Sequence, residues 1–311
     1  MRIPDRPSAF TSDSARDKYY AVYDRVLGEL WPVPVDATDV ETRAGTVRIH
    51  RAGPATGDPV VLVAGAGGNA LSWYRYIEPL ARTRPVLAVD PLGEPGRSVQ
   101  RRTLATGAEV GGWLTDVLAA VGAERAHVAG FSAGAWTAVW AAAEQQRGGG
   151  GRVAALTLVD PGGFAPITGR FVRWALACAI ASMLPRPLRH RMTGVVGNGV
   201  LREDGLIRLA RAGGWSFRRH VLIPPAYTDE QIREVSVPVQ VLLGARSTLH
   251  DARAVAARLA GIAPSWRVEI VPGTGHSLPV EAPDLVAERI LTFPGQARPG
   301  TATPKHSTDN R

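Results

Sequence analysis

Two rhythms of apolar residues alternate along the 311 positions of this chain. Positions 60–64, 86–89, 126–129, 156–159, 239–243 and 268–271 are short, nearly unbroken apolar runs, the mark of strands buried on both faces. Positions 46–51 alternate apolar and polar residues, as a half-exposed strand does. Between or after these runs, 73–81, 109–121, 133–144, 252–260 and 284–293 repeat apolar residues at helical spacing. An N-terminal helix over 14–30 shows the same spacing in Tyr19, Tyr20, Val22, Tyr23, Val26, Leu27 and Leu30, and Pro32 and Pro34 stop it. Strand and helix in alternation predict an α/β architecture, a doubly wound, mostly parallel sheet covered by helices.

The alternation breaks once. Residues 164–234 read as helices with no strand, so an insertion there would form a helical cap over the strand ends. The expected organisation is a lead-in helix and strand over 1–45, a core over 46–163 and 235–294, the cap over 164–234, and a disordered tail over 295–311 rich in Pro, Thr and Gly. Arg147-Gly148-Gly149-Gly150-Gly151 reads as a flexible connector.

Composition excludes several function classes. Hydrophobic residues make up 45% of the chain, ample for a core. The formal charge is +8, carried almost wholly by arginines, since Lys18 and Lys305 are the only lysines. Most of these arginines are scattered along the chain rather than clustered with aromatics on one element, which argues against nucleic-acid binding. The single cysteine, Cys178, rules out an internal disulfide. No signal-like apolar segment stands in 1–18, and the cytoplasm is the expected location. The longest apolar stretch, 174–184, has eleven residues, where a membrane span needs roughly twenty. It is therefore read as a cap helix, or one resting on a membrane surface, and no integral membrane association is expected.

The candidate chemistry begins at Gly130-Phe131-Ser132-Ala133-Gly134, between a predicted strand and an alanine-rich helix. A serine on so tight a turn stands clear of the backbone as a nucleophile, and the turn needs small residues two before and two after it. A serine hydroxyl also needs a base, and His276, in the glycine-rich loop Gly273-Thr274-Gly275-His276-Ser277 after a predicted strand, has the right setting. Two amides must receive the oxyanion. Ala133 follows the nucleophile, and Ala66 lies in the loop Ala64-Gly65-Ala66-Gly67-Gly68 after an early strand. The same loop read as Gly65-x-Gly67-x-x-Ala70, with Asp90 some way beyond, is a fair dinucleotide-binding pattern, but that reading leaves Ser132 and His276 as coincidences.

These landmarks, with Asp90-Pro91-Leu92-Gly93-Glu94-Pro95-Gly96-Arg97-Ser98 between them, give the chain over 46–293 a resemblance to the α/β-hydrolase superfamily. The N-terminal Tyr19-Tyr20-Ala21-Val22-Tyr23-Asp24 helix, Trp31-Pro32-Val33-Pro34, and Asp160-Pro161-Gly162-Gly163-Phe164-Ala165-Pro166 look like its carboxylesterase-like branch. The resemblance implies an eight-stranded, mostly parallel sheet with a helical cap, no metal and no organic cofactor. Two departures stand out. The family's usual His-Gly is Ala64-Gly65 here, and Ser247 falls where the family most often carries the triad acid. Asp160, at the end of a predicted strand, and Asp251, directly before a helix, are the carboxylates able to replace it; Ser247, a water or no third member are the other readings.

Under this resemblance, Ser132 attacks a carboxylic ester, His276 takes its proton, and Ala66 and Ala133 receive the developing charge. The partner is a small-molecule ester with an apolar acyl or aryl part, and Trp174 and Trp215 of the cap are candidate lining residues. A ligand-binding protein on a hydrolase scaffold, weakly catalytic or inactive, is the alternative of a different class, and a thioesterase or carbon-carbon bond hydrolase is a third. Oligomeric state is not legible.

Overall fold

The computed structural model describes residues 5–147 and 151–293. The expected tail and most of the glycine connector lie outside the described residues. Six parallel strands form the centre of one sheet, in the order Arg267–Val271, Val239–Gly244, Val153–Val159, Ala126–Phe131, Val60–Val63 and Val86–Val89. The antiparallel strands Gly45–Ala52 and Asp36–Thr42 complete the path of eight. A ninth strand, Val99–Gln100, pairs beside Gly45–Ala52. It has two residues, too few to show a period.

The central apolar runs are buried on both faces because helices cover both, whereas the edge strand Arg267–Val271, expected to be buried as well, is mostly half-buried because no strand covers its outer side. Gly107–Ala120, Ala133–Arg147 and Ala252–Ile262 pack on one side, around Trp113, Leu114, Val139 and Leu259. Asp13–Leu30, Tyr74–Ala81 and Pro283–Thr292 pack on the other, around Tyr23, Ile77, Leu80 and Ile290. Helix starts carry local signals: Ser12 accepts the Ala15 amide, and Thr106 with Glu109 forms a capping box.

Val60–Val63 pairs with Val86–Val89 on one side and Ala126–Phe131 on the other, so the winding reverses there. Open α/β sheets bind ligands beyond the strand ends at such a reversal. The loop holding Ala66, and Ser132, Asp160, Ser247 and His276, all follow the C-terminal ends of parallel strands.

Among the described residues, the region 164–234 holds the helices Gly169–Met183, Arg186–Val196, Asp204–Ser216 and Asp229–Arg233. It also holds a strand that its pattern did not predict: Phe217–Arg218 pairs antiparallel with Ala9–Phe10. Around that ribbon the Ser8 amide donates to Gln100 Oε1 (3.1 Å), Ser8 Oγ accepts the His220 amide (2.8 Å), and the Thr11 amide donates to Ser216 O (2.8 Å). Residues 8–11 thus fasten this part of the cap to the core. No helix among the described residues is long and apolar enough to cross a membrane.

Candidate active site

Ser132 sits where Ala126–Phe131 turns into Ala133–Arg147, with φ of 52°. A Cβ on Gly130 would lie 2.5 Å from Gly134 O, and one on Gly134 would lie 2.3 Å from Val63 O. Neither position accommodates a side chain, and the non-glycine residue between them is held in a left-handed conformation that costs free energy. The elbow is fastened to the neighbouring strand end: the Ser132 amide donates to Val159 O (3.1 Å), and its carbonyl accepts the Gly162 amide (3.1 Å).

Asp160 follows that strand, fully buried, with φ of 38°. Its Oδ1 accepts the Gly244 amide at 2.9 Å. Its Oδ2 accepts the Ser247 hydroxyl at 2.6 Å and lies 2.6 Å from His276 Nδ1. A carboxylate in this position fixes the imidazole tautomer with hydrogen on Nδ1 and leaves Nε2 unprotonated. The ring is packed by Phe131, Phe171 and Trp174, with centroids 5.1, 5.4 and 5.5 Å away. Ser132 Oγ and His276 Nε2 are not hydrogen-bonded to each other among the described residues; in unliganded hydrolytic sites this link commonly tightens when substrate binds. His250 Nε2 lies 3.4 Å from Asp160 Oδ1, and burial pushes the His250 pKa down despite the carboxylate.

The loop Ala64–Gly68 lies beside the elbow. The amides of Ala66 and Ala133 have no acceptor among the described residues, whereas those of Gly67, Ala70 and Ser132 are engaged. Gly67 donates to Glu94 Oε2 (2.8 Å) and Ala70 to Asp90 Oδ1 (2.9 Å). Asp90 also accepts the Tyr23 hydroxyl and the Arg97 amide, tying the loop to the N-terminal helix. Glu94 is itself buried, and Arg219 reaches its Oε1 at 2.6 Å. Burial raises the Glu94 pKa, opposed by Arg219 and the Gly67 amide. Glu94 thus ties the Gly67 amide of this loop to Arg219 of the cap.

A cavity of about 250 Å³ opens over Ser132, Ala133 and Ala66, walled mainly by apolar residues such as Leu104, Trp113, Trp136, Phe171 and Leu222. A second, of about 210 Å³, lies across the loop against Phe131, Leu209 and Val280. A larger open recess of about 980 Å³ near Arg43 and Asp116 touches none of Ser132, Asp160 and His276.

Two expected site residues fall elsewhere. Asp251 is exposed and caps Ala252–Ile262, accepting the amides of Arg253 and Ala254, so its carboxylate serves the helix end. Trp215 is 75% exposed and outside the cavity, because Asp204–Ser216 buries its Ile207, Leu209 and Gly213 face. Trp174 does not line the cavity either, but it packs edge-on against the His276 ring, with its Nε1 donating to Val196 O.

Residues 60–289 match the model of the alpha/beta hydrolase family. The chain belongs to that family. Two of its relatives are bacterial carboxylesterases. An uncharacterized carboxylesterase, nap, of Bacillus subtilis is 26% identical over 287 residues, covering 89% of this chain and 92% of the relative. Carboxylesterase YbfK of the same organism is 26% identical over 284 residues, covering 89% and 93%. The crystal structure of naproxen esterase (carboxylesterase NP) from Bacillus subtilis superposes with a TM-score of 0.79 at 25% identity, covering 91% of this chain and 98% of that one.

Within this family member, sequence reasoning passed over Glu94, an acid inside a glycine- and proline-rich loop whose partner lies 125 positions away. It placed Ser247 at the usual acid position and weighed it as a third member in its own right, not as a support for Asp160. Its hydroxyl instead supports the carboxylate from the adjoining strand.

Proposed function

We propose that this hydrolase is a serine carboxylesterase acting on a small-molecule ester through an acyl-enzyme. Ser132 Oγ attacks the ester carbonyl as His276 Nε2 takes its proton, forming the new C–O bond. The amides of Ala66 and Ala133 receive the negative charge on the carbonyl oxygen. Collapse of this intermediate expels the alcohol, which takes the proton from His276. Water, deprotonated by His276, then attacks the acyl-enzyme and releases the acid and Ser132. Asp160 holds the imidazole and stabilises it when charged, and Ser247 and the Gly244 amide hold Asp160.

The observation that carries this reading is the short Asp160–His276 hydrogen bond, formed next to the strained turn that displays Ser132. The carboxylesterase relatives and the apolar cavity wall support an ester with an apolar acyl or aryl part. No step calls for a cofactor.

The test is p-nitrophenyl butyrate turnover and fluorophosphonate labelling of the full chain beside Ser132→Ala. Turnover and label that both vanish in the variant support the esterase. A folded wild-type protein with neither activity nor label would instead make this a ligand-binding scaffold.

A further inference from the structure

The cap carries on its outside a surface that catalysis at Ser132 does not use. In Gly169–Met183, Val172 is 58% exposed, Leu176 61%, Ile180 60% and Met183 50%. Spaced by four, four and three residues, they form one stripe along the helix. Leu188 and Val195 of the next helix are exposed too. Exposed apolar patches of this kind mark contact surfaces more often than solvated ones.

The charge around the stripe is one-sided. Positions 161–202 hold six arginines and no aspartate or glutamate. Asp204, from the neighbouring helix, pairs with Arg186 and Arg189 and lies 3.4 Å from His190. Arg173 and Arg191 are exposed and have no acidic partner among the described residues.

We propose that this face of the cap docks on an anionic lipid surface. An apolar stripe flanked by unpaired arginines matches what such a surface offers, an acyl layer beneath a sheet of phosphates. A second copy of the chain fits less well, because a two-fold contact would set the same arginine-rich, carboxylate-free segment against itself. The face also adjoins the site: Phe171, on the same helix, lines the Ser132 cavity, as do the exposed Ile167 and Ile223. Docking would thus hold the cavity rim near lipid. That corollary rests on the esterase reading, but the docking does not.

The test uses the full chain carrying Ser132→Ala, so that ester turnover plays no part. It is sedimented with vesicles of phosphatidylcholine alone and of phosphatidylcholine mixed with phosphatidylglycerol. Binding to the mixed vesicles alone, weakened by salt, is expected. Arg173→Gln and Arg191→Gln should each weaken it about five-fold, and Leu176→Asp with Ile180→Asp should abolish it. Thermal melts by circular dichroism establish that each variant is folded. No binding to mixed vesicles, or equal binding by the folded double-aspartate variant, overturns the proposal. So does a concentration-dependent dimer that the double-aspartate variant loses, since the face would then belong to a second copy.

Discussion

Replacing Asp160 by asparagine changes one atom of a buried side chain, and the structure fixes where that atom must go. Oδ1 accepts the Gly244 amide and must stay an oxygen, so the new NH₂ takes the place of Oδ2, facing His276 Nδ1 and Ser247 Oγ. An NH₂ there donates to Nδ1, which drives the ring hydrogen onto Nε2. The imidazole then cannot accept the Ser132 proton. Loss of a correctly oriented base in serine hydrolases lowers kcat by about 10⁴-fold, or about 5 kcal/mol, and leaves residual catalysis from the oxyanion amides. Steady-state kinetics on p-nitrophenyl butyrate should show this fall in kcat with KM little changed, in a protein whose thermal melt shows it folded. Asp251→Ala is the control. It should cost about 1 kcal/mol of stability through the lost helix cap, with kcat kept. A kcat for Asp160→Asn within ten-fold of wild type, or an equal collapse in Asp251→Ala, would refute the assignment of the acid.

Glu94→Ala releases the Gly67 amide and leaves Arg219 unpaired at the cavity wall, so kcat should fall about ten-fold, less than the loss of an oxyanion donor itself. Glu94→Gln keeps an acceptor for Gly67 and should recover most of kcat; an alanine variant with unchanged kcat would show that the loop needs no such brace. His127, buried in Ala126–Phe131 and bonded to Thr157 Oγ1 at 2.7 Å, has its pKa pushed down to about 3, first by burial and then by Arg84. Because the unfolded ring takes a proton near pH 6.5, the native state gains stability as pH rises from about 3 to 6.5 and loses it on acidification through that window. At pH 5 the loss is about 2 kcal/mol relative to pH 8. Denaturant midpoints at the two pH values should therefore differ less in His127→Gln than in wild type, and an unaltered difference would count against this account.

Ser132 and His276 could be found from local spacing, because each lies in a glycine-punctuated turn after an apolar run. The acid could not. Asp160-Pro161-Gly162 reads equally as a plain turn, and Asp251 reads equally as a helix cap, which it proved to be. What separates them is the order of strands: Val153–Val159 lies beside Val239–Gly244, so Asp160 and Ser247 meet. A sequence does not state that order. Trp215 failed for a related reason, since an aromatic residue in a cap is equally compatible with either side of its helix until the buried side is known. Glu94 and Arg219 form their pair through tertiary placement alone. The buried strands were legible to within a few residues because helices cover both faces of the sheet, and the two-residue strands left no pattern to read.

The ribbon between Ala9–Phe10 and Phe217–Arg218 bears on how the protein can be re-engineered. Residues 8–11 form part of the roof and cannot be cut away without loosening it. A chimera that exchanges this cap must exchange the strand paired with Phe217–Arg218 as well, or the transplanted module will arrive with one of its moorings cut.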